Sequence, residues 1–106
     1  VMGMAQDGLE NHKQAVKHYK KALESGGKDA YILYNLGVAQ SKLNKVEDAA
    51  KTLKKCTKAN PEFAACWYGW GIMQLSRGKT GDAKKAAAKL KKLDPAMADQ
   101  LKQQMK

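Results

Sequence analysis

One short sequence motif occurs three times along this chain of 106 residues. It reads MGMAQ at residues 2–6, LGVAQ at 36–40 and WGIMQ at 70–74. The glycine of the motif therefore stands at positions 3, 37 and 71, a constant step of 34 residues. Self-similarity at such a period indicates a stack of equivalent units, none of which buries enough apolar surface to stand alone.

The composition indicates that these units are helical. Ala, Leu and Lys are abundant, Val and Ile are sparse, and Pro occurs only at positions 61 and 95, which is typical of helices. The length suits one small domain, so a single domain is expected over residues 1–106. No apolar run of about 18 residues is present, so no transmembrane helix is expected.

Each unit is predicted to contain two helices joined by a short turn. In the second unit, Asp29 can cap a helix over about 30–42, and Asn44 marks the turn. A second helix over about 46–59 must stop before Pro61, because the residue before a proline is disfavoured in the helical conformation.

The same register extends to both sides of the second unit. The other predicted helices run over about 2–8, 12–24, 63–76, 80–93 and 96–105. Thr80 is placed as an N-cap, and Pro95 suits the first turn of the last helix. The repeats are accordingly predicted at about 1–29, 30–63 and 64–97, followed by a C-terminal capping helix.

This register resembles the tetratricopeptide repeat, whose pattern carries an aromatic residue, Leu-Gly, Tyr, and then Ala, Phe, Ala and Pro. The matching residues are Gly3, Ala15, Tyr19, Ala22, Leu36, Gly37, Ala49, Leu53, Pro61, Trp67, Trp70, Gly71, Ala83 and Pro95. Gln6, Gln40 and Gln74 depart from it where the family has Tyr, which we interpret as a tolerated substitution at the seam between helices. The resemblance implies an all-α fold, with antiparallel helix pairs stacked in a right-handed superhelix.

In this family the first helix of each unit lines a concave groove. Carried over by register, the resemblance implies a peptide-binding groove lined by Met4, Tyr31, Tyr34, Val38, Ser41, Tyr68, Ile72 and Leu75. Tyr34 and Tyr68 occupy equivalent places in successive units and would form a short aromatic ladder. Such a strip suits an amphipathic helix or an extended peptide with apolar anchors. The alternative is that these tyrosines only close the seams between helices.

Basic residues gather on the second helices, in a chain whose net charge is +10. Because the family's second helices form the convex outer side, the resemblance implies a basic face of Lys17, Lys20, Lys21, Lys51, Lys54, Lys55, Lys84, Lys85 and Lys89. This face is either a solvated surface or a docking surface for an anionic membrane or an acidic protein. Nucleic acid is disfavoured as a partner, because no stacking aromatic residues interleave with these lysines.

The remaining reactive residues do not form a recognisable metal-binding or catalytic pattern. Cys56 and Cys66 could lie near each other across the seam between the second and third units, and buried free thiols are the expected state. His12 and His18 are six residues apart and do not share a helix face. No nucleophile–base pair or phosphate-binding loop stands out, so we expect no metal site, no cofactor and no catalysis.

The sequence therefore predicts a noncatalytic interaction module, an adaptor or scaffold that binds a protein or peptide in an intracellular, cytoplasmic setting. The alternative is a self-assembling scaffold, a homo-oligomer docked on an anionic membrane or organelle surface through its lysine-rich face. A basic nucleic-acid-associated protein is the weaker alternative.

Overall fold

The structure, a computed structural model, describes the backbone of residues 2–25 and 29–105 and the side chains of residues 11–25 and 29–105. Over these ranges it consists of six α-helices and contains no strand. The helices are α1 (Met2–Glu24), α2 (Ala30–Lys42), α3 (Val46–Ala59), α4 (Ala64–Ser76), α5 (Thr80–Leu93) and α6 (Pro95–Gln104). Each helix packs against the next in the chain, so the predicted all-α repeat solenoid is confirmed.

The turns inside the second and third units depend on one residue each with a positive φ. Asn44 lies between α2 and α3 with a φ of 62°, and Gly78 lies between α4 and α5 with a φ of 77°. Gly and Asn tolerate this left-handed conformation better than other residues. The chain can therefore reverse within three residues and bring the two helices of a unit side by side.

The first unit contains no such turn, and the prediction of two helices over 2–8 and 12–24 is wrong. Helix α1 runs without a break from Met2 to Glu24. One repeat before Asn44, the residue in register is Glu10. Glutamate is a good helix former that avoids positive φ, so the helix continues through the position at which the other units turn.

Of the three residues predicted to mark helix starts, Asp29, Thr80 and Pro95, two are confirmed. Asp29 caps α2 by accepting a hydrogen bond from the Tyr31 backbone N–H at 2.8 Å, and Pro95 occupies the first turn of α6. Thr80 is not the N-cap of α5; that position belongs to Lys79. The Lys79 N–H closes the preceding turn on the Gln74 carbonyl at 2.7 Å, which makes Lys79 the boundary residue and leaves Thr80 inside the helix.

The core is built on close helix crossings at glycines. A Cβ added at Gly37 would stand 2.6 Å from Leu53 Cγ, and one added at Gly69 would stand 3.1 Å from Leu53 Cδ1. Leu53 of α3 thus fills the space that these two glycines of α2 and α4 leave open. One repeat later, a Cβ at Gly71 would stand 2.7 Å from Leu101 Cδ2 of α6.

The structure joins Cys56 of α3 to Cys66 of α4 in a disulfide, with Cα atoms 5.8 Å apart. The expectation of two free thiols is therefore wrong. Both side chains are fully buried where the second unit meets the third. That crossing brings the two backbones into the narrow range of Cα separations, about 4.4–6.8 Å, that a disulfide needs.

Candidate functional site

The two sides of the helix stack differ in how closely successive units approach. On one side α2 contacts α4, and α4 contacts α6. On the other side the backbones of α3 and α5, which are described over their full lengths, do not approach each other closely. The stack therefore curves toward α2, α4 and α6, and the outer helices are separated by a trough.

An aromatic cluster lies where α2 and α4 begin. The Tyr31 ring stacks on Phe63 with ring centroids 5.9 Å apart, and Tyr34 contacts Phe63 at 5.6 Å in a tilted arrangement. Tyr31 is 65 % exposed, and among the described side chains no other large hydrophobic residue is exposed. Phe63 therefore covers one side of the Tyr31 ring, and the rest of the ring is open to solvent.

The other predicted groove residues are half-buried. Tyr68, Ile72 and Leu75 pack against the buried cluster that contains Leu53 and Leu101. Val38 and Ser41 of α2 are also half-buried, and the Ser41 hydroxyl donates to the Val38 carbonyl at 2.7 Å. These side chains close the helix seams with one part and face solvent with the other. The side chain of Met4 lies outside the residues whose side chains are described.

Phe63 is the residue that the sequence reasoning missed. It stands just before α4 as its N-cap residue, in register with Asp29 one repeat earlier, so the repeat pattern gives it no aromatic role. The ring contacts in the described chain do not pair Tyr34 with Tyr68; Tyr34 meets Phe63 instead. A large apolar residue two positions after Pro61 was the available signal.

The two described glutamines that replace the family tyrosine are buried and hydrogen-bonded. Gln40 is 4 % exposed, and its Oε1 accepts from the Thr52 hydroxyl at 2.6 Å. Gln74 is 5 % exposed; its Nε2 donates to Asp82 at 2.7 Å, and its Oε1 accepts from Arg77 at 3.0 Å. The amide thus ties the first helix of each unit to the residues that follow it.

The residues of the predicted basic face are exposed, apart from Lys89, which is half-buried. They lie on α1, α3 and α5. In the part of the chain whose side chains are described, the one ion pair joins Lys51 Nζ to Glu47 at 3.7 Å, and both partners are largely exposed. Apart from this pair, the lysines of the basic face form no direct ion pair with a described carboxylate.

Stacked helix pairs closed at glycine crossings define a helical-repeat solenoid. A family model described as Tetratricopeptide repeat matches residues 8–69, which is more than half of the 106-residue chain. The chain belongs to the tetratricopeptide repeat family, and the resemblance drawn from its sequence is confirmed. Proteins of this family are generally noncatalytic modules that bind protein partners or act as scaffolds.

A comparison with curated protein sequences found no match. Among the helices that the structure describes, none combines the length and the apolar character needed to span a membrane.

Proposed function

We propose that this chain is a noncatalytic interaction module that binds a short peptide or an amphipathic helix of a partner protein along α2 and α4. The observation that carries the proposal is the Tyr31 ring, which is 65 % exposed and stacks on Phe63 with ring centroids 5.9 Å apart where α2 and α4 begin. Exposed aromatic rings held in place by their neighbours are frequent anchors in protein interfaces.

The rest of the strip supports an elongated ligand. Tyr34 and Val38 are four residues apart on α2, and Tyr68 and Ile72 occupy the equivalent places on α4. Side chains four residues apart share a helix face, so two parallel rows of half-buried apolar groups flank the groove. An amphipathic helix or an extended strand could place apolar side chains between these rows and leave its polar side in water.

The affinity in this proposal comes from apolar burial, and the net charge of +10 raises the association rate of an acidic partner without fixing its position. Removing an anchor ring is therefore expected to accelerate dissociation, whereas added salt mainly slows association.

Site-specific photo-crosslinking tests the location of binding. The photoreactive residue p-benzoylphenylalanine would replace Tyr31 in one bait and Lys51 on the outer face in the matched control. We expect one partner peptide to crosslink at position 31 in lysate of the source cells and to be absent at position 51. A synthetic copy of that peptide is then titrated by calorimetry, and Tyr31→Ala is expected to weaken its binding about tenfold.

Two variants separate loss of the site from loss of folding. Val38→Lys changes the groove on α2, and Lys51→Glu changes the outer face; both are checked by circular dichroism. The proposal requires that Val38→Lys weakens the peptide and that Lys51→Glu leaves it within about twofold. Equal crosslinking at positions 31 and 51 would overturn the proposal. So would a peptide whose binding is weakened by neither Tyr31→Ala nor Val38→Lys.

A further inference from the structure

The outer side of the solenoid carries a second candidate site, distinct from the groove. The backbones of α3 and α5 do not approach each other closely, and the trough between these helices has a volume of about 490 Å³. Its floor comes from α4, whose Trp67 and Trp70 both line the trough. The two rings pack edge to face with centroids 6.0 Å apart.

The floor is rigid. The Trp67 indole N–H donates to the Pro61 carbonyl at 2.7 Å, which fixes the half-buried ring at the edge of the trough. Trp70 is only 6 % exposed and belongs to the main core cluster. A ligand would therefore meet a preformed aromatic surface, and binding would require little ordering of side chains.

Four lysines form the rim of the trough. Lys54 and Lys58 stand four residues apart on α3, and Lys85 and Lys89 stand four residues apart on α5. Each pair shares one helix face, so both faces turn positive charge toward the same space. Lys54 Nζ lies 5.8 Å from the Trp70 ring centroid, within the range of a cation–π contact.

One carboxylate, Asp82, lines the same trough. It accepts a hydrogen bond from Gln74 Nε2 at 2.7 Å and forms no ion pair with a described lysine. The lining therefore carries four positive charges and one negative charge. A site with an apolar floor and a basic rim complements a ligand that has an apolar group among several negative charges.

A second trough in the same chain allows a direct comparison with the tryptophan trough between α3 and α5. One repeat earlier, a trough of about 370 Å³ lies between α1 and α3, and seven of its nine lining residues are register equivalents of residues that line the tryptophan trough. In this earlier trough, Leu36 replaces the Trp70 of the trough between α3 and α5, and Glu24 replaces its Lys58. Its charged lining is Lys20, Glu24, Asp48, Lys51 and Lys55. Three lysines against two carboxylates leave a net charge of one, compared with three in the tryptophan trough.

We propose that the trough between α3 and α5 binds an acidic segment of a partner protein, with an apolar side chain set against Trp67 and flanking carboxylates on the four lysines. A second copy of this chain is a poor occupant, because a chain with a net charge of +10 repels its own copies. On α4, Trp67 and Trp70 line the trough, whereas the proposed groove uses Tyr68 and Ile72, so the two sites use different side chains and can be occupied at once.

Tryptophan fluorescence measures occupancy directly, because the chain contains two tryptophans and both line this trough. The probe is the blocked heptapeptide Glu-Asp-Glu-Phe-Glu-Asp-Glu, added to the full chain at low salt. We expect a saturable change in emission. Replacing the central Phe of the probe with Ala should weaken binding several-fold, and a Lys-rich version of the probe should not bind.

Matched charge reversals locate the probe. The double variant Lys58→Glu with Lys89→Glu changes the rim of the tryptophan trough, and Lys20→Glu with Lys51→Glu makes the same charge change in the equivalent trough. Each reversal removes one attraction to the acidic probe and adds one repulsion, so the first variant should weaken the probe about tenfold. The second should have an effect of less than about threefold.

Each outcome decides the proposal. Circular dichroism first confirms that both double variants keep their helices, and Lys58→Gln with Lys89→Gln provides a milder pair if either does not. Equal weakening by the two double variants would show a response to net charge only and would overturn the site. So would an emission change with vesicles containing phosphatidylserine but none with the peptide. Tyr31→Ala should leave probe binding unchanged, which separates this site from the groove.

Discussion

The second and third helix pairs share one register, but they close their central crossings with different partners. In the second pair, Gly37 of α2 receives Leu53 from its own partner helix α3. In the third pair, Gly71 of α4 receives Leu101 from α6, outside the pair. The residue in register with Leu53 is Ala87, which is too short to fill the same space. Equivalent glycines therefore make different demands on the chain.

This difference explains why the final helix matters to the fold. At the crossing of the second unit, Leu53 of α3 reaches Gly37, whereas at the crossing of the third unit Ala86 of α5 and Leu101 of α6 both reach Gly71, so α6 completes it. In a repeat stack, stability is approximately a sum of unit terms and nearest-neighbour terms. The crossing at Gly71 moves part of that sum from inside a unit to the boundary with the capping helix.

The largest effect is expected from removing the two leucines. Leu53→Ala and Leu101→Ala each delete a fully buried side chain and should each cost about 2–5 kcal/mol of local unfolding free energy. Leu53 touches α2 and α4, so its loss should lower hydrogen-exchange protection across both. Leu101→Ala should lower protection in α4, α5 and α6 and spare the contact of α2 with α3. Identical protection maps for the two variants would contradict the comparison.

A smaller effect, with different outcomes at the two positions, is expected from adding a methyl group at each glycine. At Gly37 the new Cβ would meet Leu53 Cγ at 2.6 Å, and Gly69 limits the retreat of Leu53 on its other side. Gly37→Ala should therefore cost about 1–3 kcal/mol. At Gly71 the closest atoms are Leu101 Cδ2 at 2.7 Å and Ala86 Cβ at 3.1 Å. Because the nearest one is the end of a side chain rather than a branch carbon such as Leu53 Cγ, the cost should be lower.

Urea unfolding of a third variant calibrates these two changes. Gly81 is exposed on α5 with no atom within 4 Å of an added Cβ, so Gly81→Ala reports helix propensity alone and should stabilise by up to about 1 kcal/mol. The ranking Gly81→Ala, Gly71→Ala, Gly37→Ala, from most to least stable, is the expected result. Gly37→Ala at or above Gly71→Ala would show that Leu53 is not confined.

The smallest effect distinguishes the two buried glutamines. Gln40→Leu leaves the buried Thr52 hydroxyl without the acceptor that it has at 2.6 Å and should cost about 1–2 kcal/mol. Gln74→Leu releases Asp82 and Arg77, which are half-buried and can turn to water, so it should cost less. The double change Gln40→Leu with Thr52→Val replaces both partners and should recover most of the loss in thermal unfolding.

Much of the fold could be predicted from the sequence because its determinants are local. The helices of the second and third units end within a residue or so of their predicted positions, since Asp29, Asn44, Gly78 and Pro95 act on their immediate neighbours. The error in the first unit has a local cause as well: the family register predicted a turn, but Glu10 is a poor residue for it.

The candidate sites could be predicted only in part. Register alone placed Tyr31 and Tyr34 on a first helix, but the ring that supports them, Phe63, lies outside the repeat pattern. The basic face was expected as a continuous outer surface. That Trp67 and Trp70 lie at the bottom of a lysine-rimmed trough depends on the separation of α3 from α5, which no local pattern encodes.

The period, the helices of the second and third units and the family follow from local sequence, because turn stereochemistry, capping and helix propensity act over a few residues. Tertiary packing sets which side chain fills each glycine crossing, brings Cys56 to Cys66 and separates the outer helices over the tryptophans. These outcomes depend on how whole helices cross, and a crossing is settled by the summed packing of side chains distant in the chain.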